Sequence, residues 1–481
     1  MKSLGSRKRL LALSALALAV LLASLDQTIV STALPRIAAD LDGFDDIAWV
    51  SAAYLLASTA ATPLWGKLGD MLGRKRLYLI STGAFLVASA LCGLARNLPE
   101  LVGSRVLQGI AGGGMIVLTF ALVGDIAEPA QRGRYQGMIG SVYGVASIVG
   151  PLLGGLFTDV LSWRWAFLIN APIGLVALAI AFRALPAGRR GETAGVDYLG
   201  ATLLAGLATA LVLIASFGQR WGWASPPILG LIVVALLLAA LVVPVEQRAA
   251  APILPLSMLT SRTVVLASLI GFIANVAMFS VLVYLPTYLQ IVDGVTATLS
   301  GVYMLPLVVG LVASQSIAGR WAARRQRFVL VTGMALNVVG LALLSTLAPN
   351  TSAVALAGYF LVTGVGIGMV PMVVLTAVQN SVRPNDLGAA SAVVTFARSI
   401  GAALGVAVFG SVFTSDFARR LRVPGVDPTR PDGIATLPAD VREAVLDVFA
   451  RAIGETFLWL TPLVVVGATL ALLLRTRPVH V

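Results

Sequence analysis

Asp26 sits inside an apolar run that begins at Leu10, within the stretch LLASLDQTIVSTALP of residues 21–35. A carboxylate near a bilayer centre costs roughly 2.5–3.5 kcal/mol on insertion scales. A chain that keeps one there has a use for it. Arg105 is the candidate partner. Asp26 lies about 24 Å along its helix from Leu10, and Arg105, entering from the other side, about 8 Å from Glu100. In an apolar core about 30 Å thick both fall in the outer half at similar depth. Pairing lowers the burial cost of each, and protonation of the acid would release the arginine. Two readings stay open: a switchable proton site, or a fixed ion pair that locks two helices. Other chemistry is scarce. The single histidine is His480 at the tail, and the single cysteine is Cys92. A histidine relay, a histidine-rich metal site and an internal disulfide are therefore excluded. No GxxxxGK[ST] loop is present, so ATP drive is not expected. Nothing resembles a catalytic constellation, so the expectation is no enzyme, no metal and no cofactor.

The elements that hold Asp26 and Arg105 must be membrane helices. The 481 residues are 58% hydrophobic and only 12% charged, against about 25% charged in soluble domains. Fourteen apolar segments are read at about 10–34, 47–65, 77–95, 100–123, 136–160, 165–184, 198–216, 227–245, 263–289, 298–319, 328–347, 352–377, 388–416 and 455–474. Each approaches the ~20 residues a helical span needs. The first could imitate a signal peptide behind Lys2, Arg7, Lys8 and Arg9, but many spans follow and an uncleaved first helix is expected. Basic residues cluster in alternate connections, notably Lys67, Arg74, Lys75, Arg76, Arg132, Arg134, Arg189, Arg190, Arg320, Arg324, Arg325 and Arg327. That bias puts both termini in the cytoplasm. It also accounts for the net charge of +12 without nucleic acid, and favours contact with anionic lipid headgroups. An outer loop at 417–454 contains VPGVDPTRPDG, a turn-rich stretch. Val441, Val445, Val448, Phe449 and Ala452 follow at helical spacing. They read as a short amphipathic helix, either on the outer membrane interface or solvated.

A shift of 255 residues superposes Gly109 on Gly364, Gly113 on Gly368, Pro129 on Pro384, Gly133 on Gly388, Gly150 on Gly405 and Gly155 on Gly410. Two homologous halves with substrate between them near the midplane are a common transporter plan.

GKLGDMLGRKRL, residues 66–77, lies between spans two and three. It resembles the signature loop of the major facilitator superfamily: Gly66, a spacer, Asp70, then Gly73, Arg74 and further basic residues. AGRWAARRQRF, residues 318–328, keeps the basic residues and lacks the aspartate. RVLQGIAGGGM, residues 105–115, is similar to the family's fourth-span motif, and GVASIVGPLLGG, residues 144–155, to the fifth-span motif of antiporters. LDQTIVSTALP and WRWAFLINAPIG, residues 163–174, resemble fourteen-span drug/proton antiporters of the EmrB/QacA-like group. The resemblance covers nearly the whole chain. It implies an all-α membrane protein with the major facilitator fold, two six-helix bundles plus two inserted transmembrane helices. The bundles would span 1–190 and 251–481, with the inserted pair and its linkers at 191–250.

The same resemblance implies a proton-coupled antiporter in the cell (plasma) membrane, exporting hydrophobic or amphipathic drugs. Partners would be such substrates, protons and membrane lipids, with the protein a monomer. An exporter of lipid or an endogenous natural product, and a non-transporting receptor or scaffold, are the competing readings. Asp26 and Arg105 would couple protons. Gly66, Asp70, Gly73, Arg74 and Asp125 would form a cytoplasmic gate, with Asp70 facing the amino end of a helix near Gly388. Gly144, Gly150, Pro151, Gly154 and Gly155 would form the antiporter motif, by close helix packing and a proline kink. Tyr54, Tyr143, Phe272, Asn275, Met278, Tyr284, Tyr288, Gln315 and Phe396 lie on spans expected to face a substrate cavity. Arg398, deep in span thirteen, is placed with these cavity residues, although an arginine bonded to carbonyls is the favoured reading over a substrate ligand. Glu455 reads as a helix-start charge and Asp416 as peripheral.

Overall fold

A computed structural model describes residues 6–41, 47–186, 197–249, 252, 258, 260–349, 351–383, 386–421 and 438–474. Their regular structure is helical. The helices are α1 (Ser6–Asp40), α2 (Ala48–Leu72), α3 (Arg74–Leu94), α4 (Leu98–Ile126), α5 (Pro129–Val160), α6 (Trp165–Leu168), α7 (Asn170–Ala184), α8 (Tyr198–Trp221) and α9 (Pro226–Arg248). The chain continues through α10 (Arg262–Ile291), α11 (Ala297–Tyr303), α12 (Leu305–Leu344), α13 (Ala353–Met369), α14 (Pro371–Ser381), α15 (Leu387–Arg420) and α16 (Ala439–Leu473).

Local chemistry sets the breaks. Asn97 accepts the Glu100 N–H at 2.9 Å while the Glu100 carboxylate accepts the Arg96 N–H at 2.9 Å, a reciprocal cap that starts α4. Gly73 adopts φ +97°, which side-chain-bearing residues avoid, and so separates α2 from α3. Arg325 leaves helical geometry (φ −140°, ψ 44°), dividing α12 into two arms.

Eleven helical segments among the described residues are long and apolar enough to cross a membrane. Their outer faces carry Val87, Leu94, Phe182, Leu236, Val354 and Trp459, all exposed. In water this surface would be unfavourable; in lipid it is at home. The apolar stretch of α9 is only 17% buried, which puts that helix at the lipid-facing rim.

The internal repeat reappears as packing. A Cβ at Gly109 would meet the Tyr54 carbonyl oxygen at 2.4 Å, and one at Gly113 the Ser58 oxygen at 2.4 Å, so α4 lies flush on α2. Their repeat partners do the same on α12: Gly364 against Leu307 and Gly368 against Leu311, at 2.0 and 2.3 Å. Two further seams mirror each other at the end of the bundle that carries Asp70. There α5 crosses the first arm of α12 at Gly133 and Gly319, and α15 crosses α2 at Gly388 and Gly66. α8 packs on α9 and also runs beside α2 and α15. Leu204 and Leu64 share one apolar cluster at one end of this contact, and the Trp49 and Phe217 rings lie 4.4 Å apart at the other.

Among the described residues the expected loop 417–454 is helical at both ends instead. α15 runs to Arg420 and α16 begins at Ala439. The amphipathic stretch is the first part of α16, continuous with the final span rather than laid on an interface. The reason is aromatic packing: Phe449 stands edge-on to Phe413 and Phe417 at 5.0 and 5.3 Å, and Val445, Phe449 and Ala452 are buried. The turn-rich stretch 423–433 lies outside the described residues.

Candidate functional site

Asp26 of α1 and Arg105 of α4 meet directly. Arg105 Nη1 lies 2.5 Å from Asp26 Oδ2, and neither side chain is more than 2% exposed. Two amides complete the shell. Gln108 Nε2 and Asn170 Nδ2 both donate to Asp26 Oδ1, at 2.7 and 2.9 Å. Ser89 Oγ accepts from both amides and donates to the Phe167 carbonyl, tying α3 into the cluster. Arg105 also donates from Nη1 to Gln108 Oε1 and from Nε to the Val50 carbonyl of α2, and stacks on the Tyr54 ring at 4.3 Å. The fully buried carboxylate therefore has one cation and two neutral donors, which offset its desolvation. Gln108 and Asn170 were not singled out from sequence. The signal for Gln108 was its place one helical turn after Arg105, on the same face.

The 66–77 loop forms a second polar cluster. Asp70 accepts the Gly388 and Ala389 N–H groups at 2.9 Å each, capping the amino end of α15. Its negative charge there complements the helix dipole. Arg74 donates to Asp70 Oδ1 through Nε at 2.9 Å and Nη2 at 2.6 Å, and also pairs with Asp125. A Cβ at Gly66 would fall 2.7 Å from the Gly388 oxygen, so the small residue permits the crossing. Sequence reasoning missed the neighbouring network. Arg132 Nη1 donates to the Gln379 carbonyl and Asn380 Oδ1, and Gln136 Nε2 donates to Gln379 Oε1 at 2.9 Å. Gln379 in turn donates to Ser391 Oγ and the Phe120 carbonyl.

The glycines of the fifth-span motif divide between two neighbours. Gly150 and Gly154 face Thr28 and Thr32 of α1, while Gly144 faces Val312 and Leu311 of α12. Gly155 meets nothing within 4 Å. The side chain of Pro151 lies outside the described residues.

Between these clusters is a cavity of about 550 Å³, a size that suits a drug-sized ligand. Tyr54, Tyr143, Asn275, Met278, Tyr284, Gln315 and Arg398 line it, and Val212, Ala215 and Ser216 bring α8 to the wall. Phe272, Tyr288 and Phe396 are not on this wall. Tyr288 is buried and donates its hydroxyl to the Ala348 carbonyl. Asp26 is likewise absent from the wall; the Tyr54 ring, which lines the cavity, covers the Arg105 guanidinium. Among the described residues Arg398 is the one side chain with a formal charge on the wall, and with them it makes none of the carbonyl bonds expected from sequence. Glu455 lies within α16 rather than at its start. It pairs with Arg420, which also binds Asp416 at 2.8 Å.

The Major Facilitator Superfamily pattern matches residues 16–198 and 179–406. The chain belongs to this superfamily of membrane transporters and is not an enzyme. It is 39% identical to an uncharacterized MFS-type transporter of Mycobacterium tuberculosis (strain ATCC 25618 / H37Rv), over 98% of this chain and 70% of the relative. The multidrug transporter protein MdtP of Bacillus subtilis (strain 168) is 36% identical over 85% of this chain and 76% of its own. Multidrug resistance protein 3 of the same strain is 32% identical, with 96% and 94% covered. The crystal structure of the human organic anion transporter MFSD10 superposes with TM-score 0.65 at 16% identity, covering 95% of this chain and 99% of that one. A bacterial homolog of the human lysosomal transporter Spinster gives 0.56 at 15%, covering 98% and 97%. At such identity these two establish the shared fold alone. The protein is thus a multi-pass, all-helical membrane protein of the major facilitator fold.

Proposed function

We propose that the protein is a proton-driven exporter of hydrophobic or amphipathic small molecules. On this reading it crosses the cell membrane fourteen times with both termini cytoplasmic. The observation that carries it is the Asp26 carboxylate, fully buried, paired with Arg105, and set behind the Tyr54 wall of an apolar cavity. The names of the Bacillus relatives support drug efflux. α2, α5 and the first arm of α12 are also long enough to cross a membrane, and counted beside the eleven apolar segments they support the fourteen-pass reading.

α2 links the two polar clusters. Near one end its Val50 carbonyl and Tyr54 ring touch Arg105; at the other, Asp70 caps α15. The two ends are about 30 Å apart at 1.5 Å per residue, with Pro63, which cannot donate a helix hydrogen bond, between them. Protonation of Asp26 removes the counter-charge of Arg105 and frees it from α1, which changes its hold on the Val50 carbonyl and Tyr54 ring of α2 and biases the latch at the far end. An element whose position both sites bias is what coupling requires. The latched arrangement, closed at the Asp70 end, is the outward-facing state. Breaking the latch admits substrate from the cytoplasm. Asp26→Asn keeps the shape and removes the exchangeable proton. In vesicles with an imposed pH gradient it is expected to bind substrate yet lose uphill export. Undiminished gradient-driven export by that variant would refute the coupling role.

A further inference from the structure

The charge of Asp26 is met by Arg105, whereas Arg398 stands on the cavity wall with its charge unmet. Among the described residues its guanidinium makes no hydrogen bond and no ion pair, and its buried Nε has no partner. The side chain is built in rather than left at an edge. Its stem lies along Gly271 of α10, where a Cβ would come within 3.2 Å of Arg398 Cγ. Two more buried polar atoms without partners belong to the same wall: Thr395 Oγ1, one turn earlier on α15, and Gln315 Oε1 on α12. A hydroxyl donates readily to an anionic oxygen, and a side-chain amide presents its N–H groups when turned about.

A buried cation without a counter-charge is unfavourable, and a ligand that brings one relieves it. The guanidinium fork matches the paired oxygens of a carboxylate, sulfonate or phosphate. Among the described residues the same wall holds no Asp or Glu to receive a cationic head. Val212, Met278, Phe279, Leu311 and Ile367 supply an apolar surface for the remainder of a ligand.

We infer that Arg398, with Thr395 and Gln315, forms a head-group subsite for amphiphiles bearing one anionic head on an apolar body, in preference to cations of the same size. The inference rests on the reading of this cavity as the site of the transported molecule.

Three probes share one ring system and differ in head charge: 4-(1-pyrenyl)butyrate, its primary amide, and 4-(1-pyrenyl)butyltrimethylammonium. Their binding to the purified full-length protein in phosphatidylcholine nanodiscs is read by pyrene emission against empty nanodiscs, with no gradient present. The carboxylate is expected to bind about tenfold more tightly than the ammonium, or better. Arg398→Gln is expected to weaken the carboxylate about tenfold and the amide less than about threefold, with partial recovery in Arg398→Lys. Equal affinities for the three probes, or an equal loss of amide and carboxylate in Arg398→Gln, overturns the assignment. Added phosphatidylglycerol separates two sources of the head group. Competition identifies a membrane lipid, no competition a free amphiphile, and either result supports the anion subsite. Binding as expected with failed export in pH-gradient vesicles would remove the transport reading and leave the subsite standing.

Discussion

Three side chains converge on one carboxylate at Asp26, and they are not equivalent. Arg105 supplies charge, while Gln108 supplies a bridge, donating to Asp26 and Ser89 and accepting from Arg105. Gln108→Leu keeps the ion pair but strips that bridge, leaving buried polar atoms short of partners at about 1–3 kcal/mol. We expect roughly tenfold slower proton-driven export with near-normal substrate binding. A proportional loss of binding would show that Gln108 shapes the cavity instead. A different titrating group lies outside the spans. Burial raises the Asp293 carboxyl from its ordinary 3.8 to about 6. The folded protein therefore holds a proton there between those values that the unfolded chain has released. Stability falls as pH rises through that window, and the penalty is fully present above it. Partial exposure and solvent screening keep the effect small. Asp293→Asn is expected to raise the melting temperature by about 1 °C at pH 8 and to leave it nearly unchanged at pH 4. An equal gain at both pH values would assign the effect to something other than ionisation.

At the scale of elements, the latch is a helix cap made by a residue on another helix. Asp70→Asn keeps an acceptor but removes the charge facing the α15 amino end and Arg74, which weakens the latched arrangement. Gln379, fully buried beside it, offers a reporter. In a Gln379→Cys background, Asp70→Asn should increase maleimide labelling several-fold by population shift. Unchanged labelling would count against the latch. Cys92, the single native thiol, is buried and supplies a low background. Much of this machinery was legible because charge is rare in membrane helices. Asp26 and Arg105 could be brought to one depth from the helical rise alone. Gln108, Asn170 and Gln379 were not, since neutral amides are common enough to escape notice and their partners come from distant helices. Phe396 and Arg398 show a second limit. They are two residues apart on α15, about 200° around the helix axis, so only one of them could meet the cavity, and the sequence did not say which face was turned inward. The continuity of α16 escaped for a third reason. Phe449 is covered by Phe413 and Phe417 of α15, a pairing no local pattern announces.

The whole molecule carries its repeat as paired glycine seams. The α5–α12 crossing at Gly133 and Gly319 mirrors the α15–α2 crossing at Gly388 and Gly66. Both close the same end, so neither can open far while the other stays shut. Gly133→Val places a branched side chain against the Gly319 carbonyl and should favour the state open at that end, seen as higher labelling of the same Gln379→Cys reporter. Labelling below that of the parent would contradict a shared closure. The cavity framed by these seams has no acidic side chain on its wall among the described residues. A dication would enter it without compensation for its lost hydration. Neutral and singly charged lipophilic dyes should therefore be exported in preference to a dication of similar size, in one vesicle series. Export of the dication with both others excluded would defeat this expectation.

The position of Asp26 behind the Tyr54 wall, away from the cavity, has an electrical consequence. If proton and cargo occupy separate places, the cargo's charge does not alter how many protons move. With one proton entering per cycle, a monocation leaves electroneutrally, a neutral molecule moves one charge inward, and a monoanion moves two. A membrane potential of 100 mV then adds about 2.3 kcal/mol of drive for the neutral cargo and about 4.6 kcal/mol for the anion. Valinomycin-clamped vesicles should thus show export of an anionic dye rising steeply with inside-negative potential, while a monocation of equal size responds to the pH gradient alone.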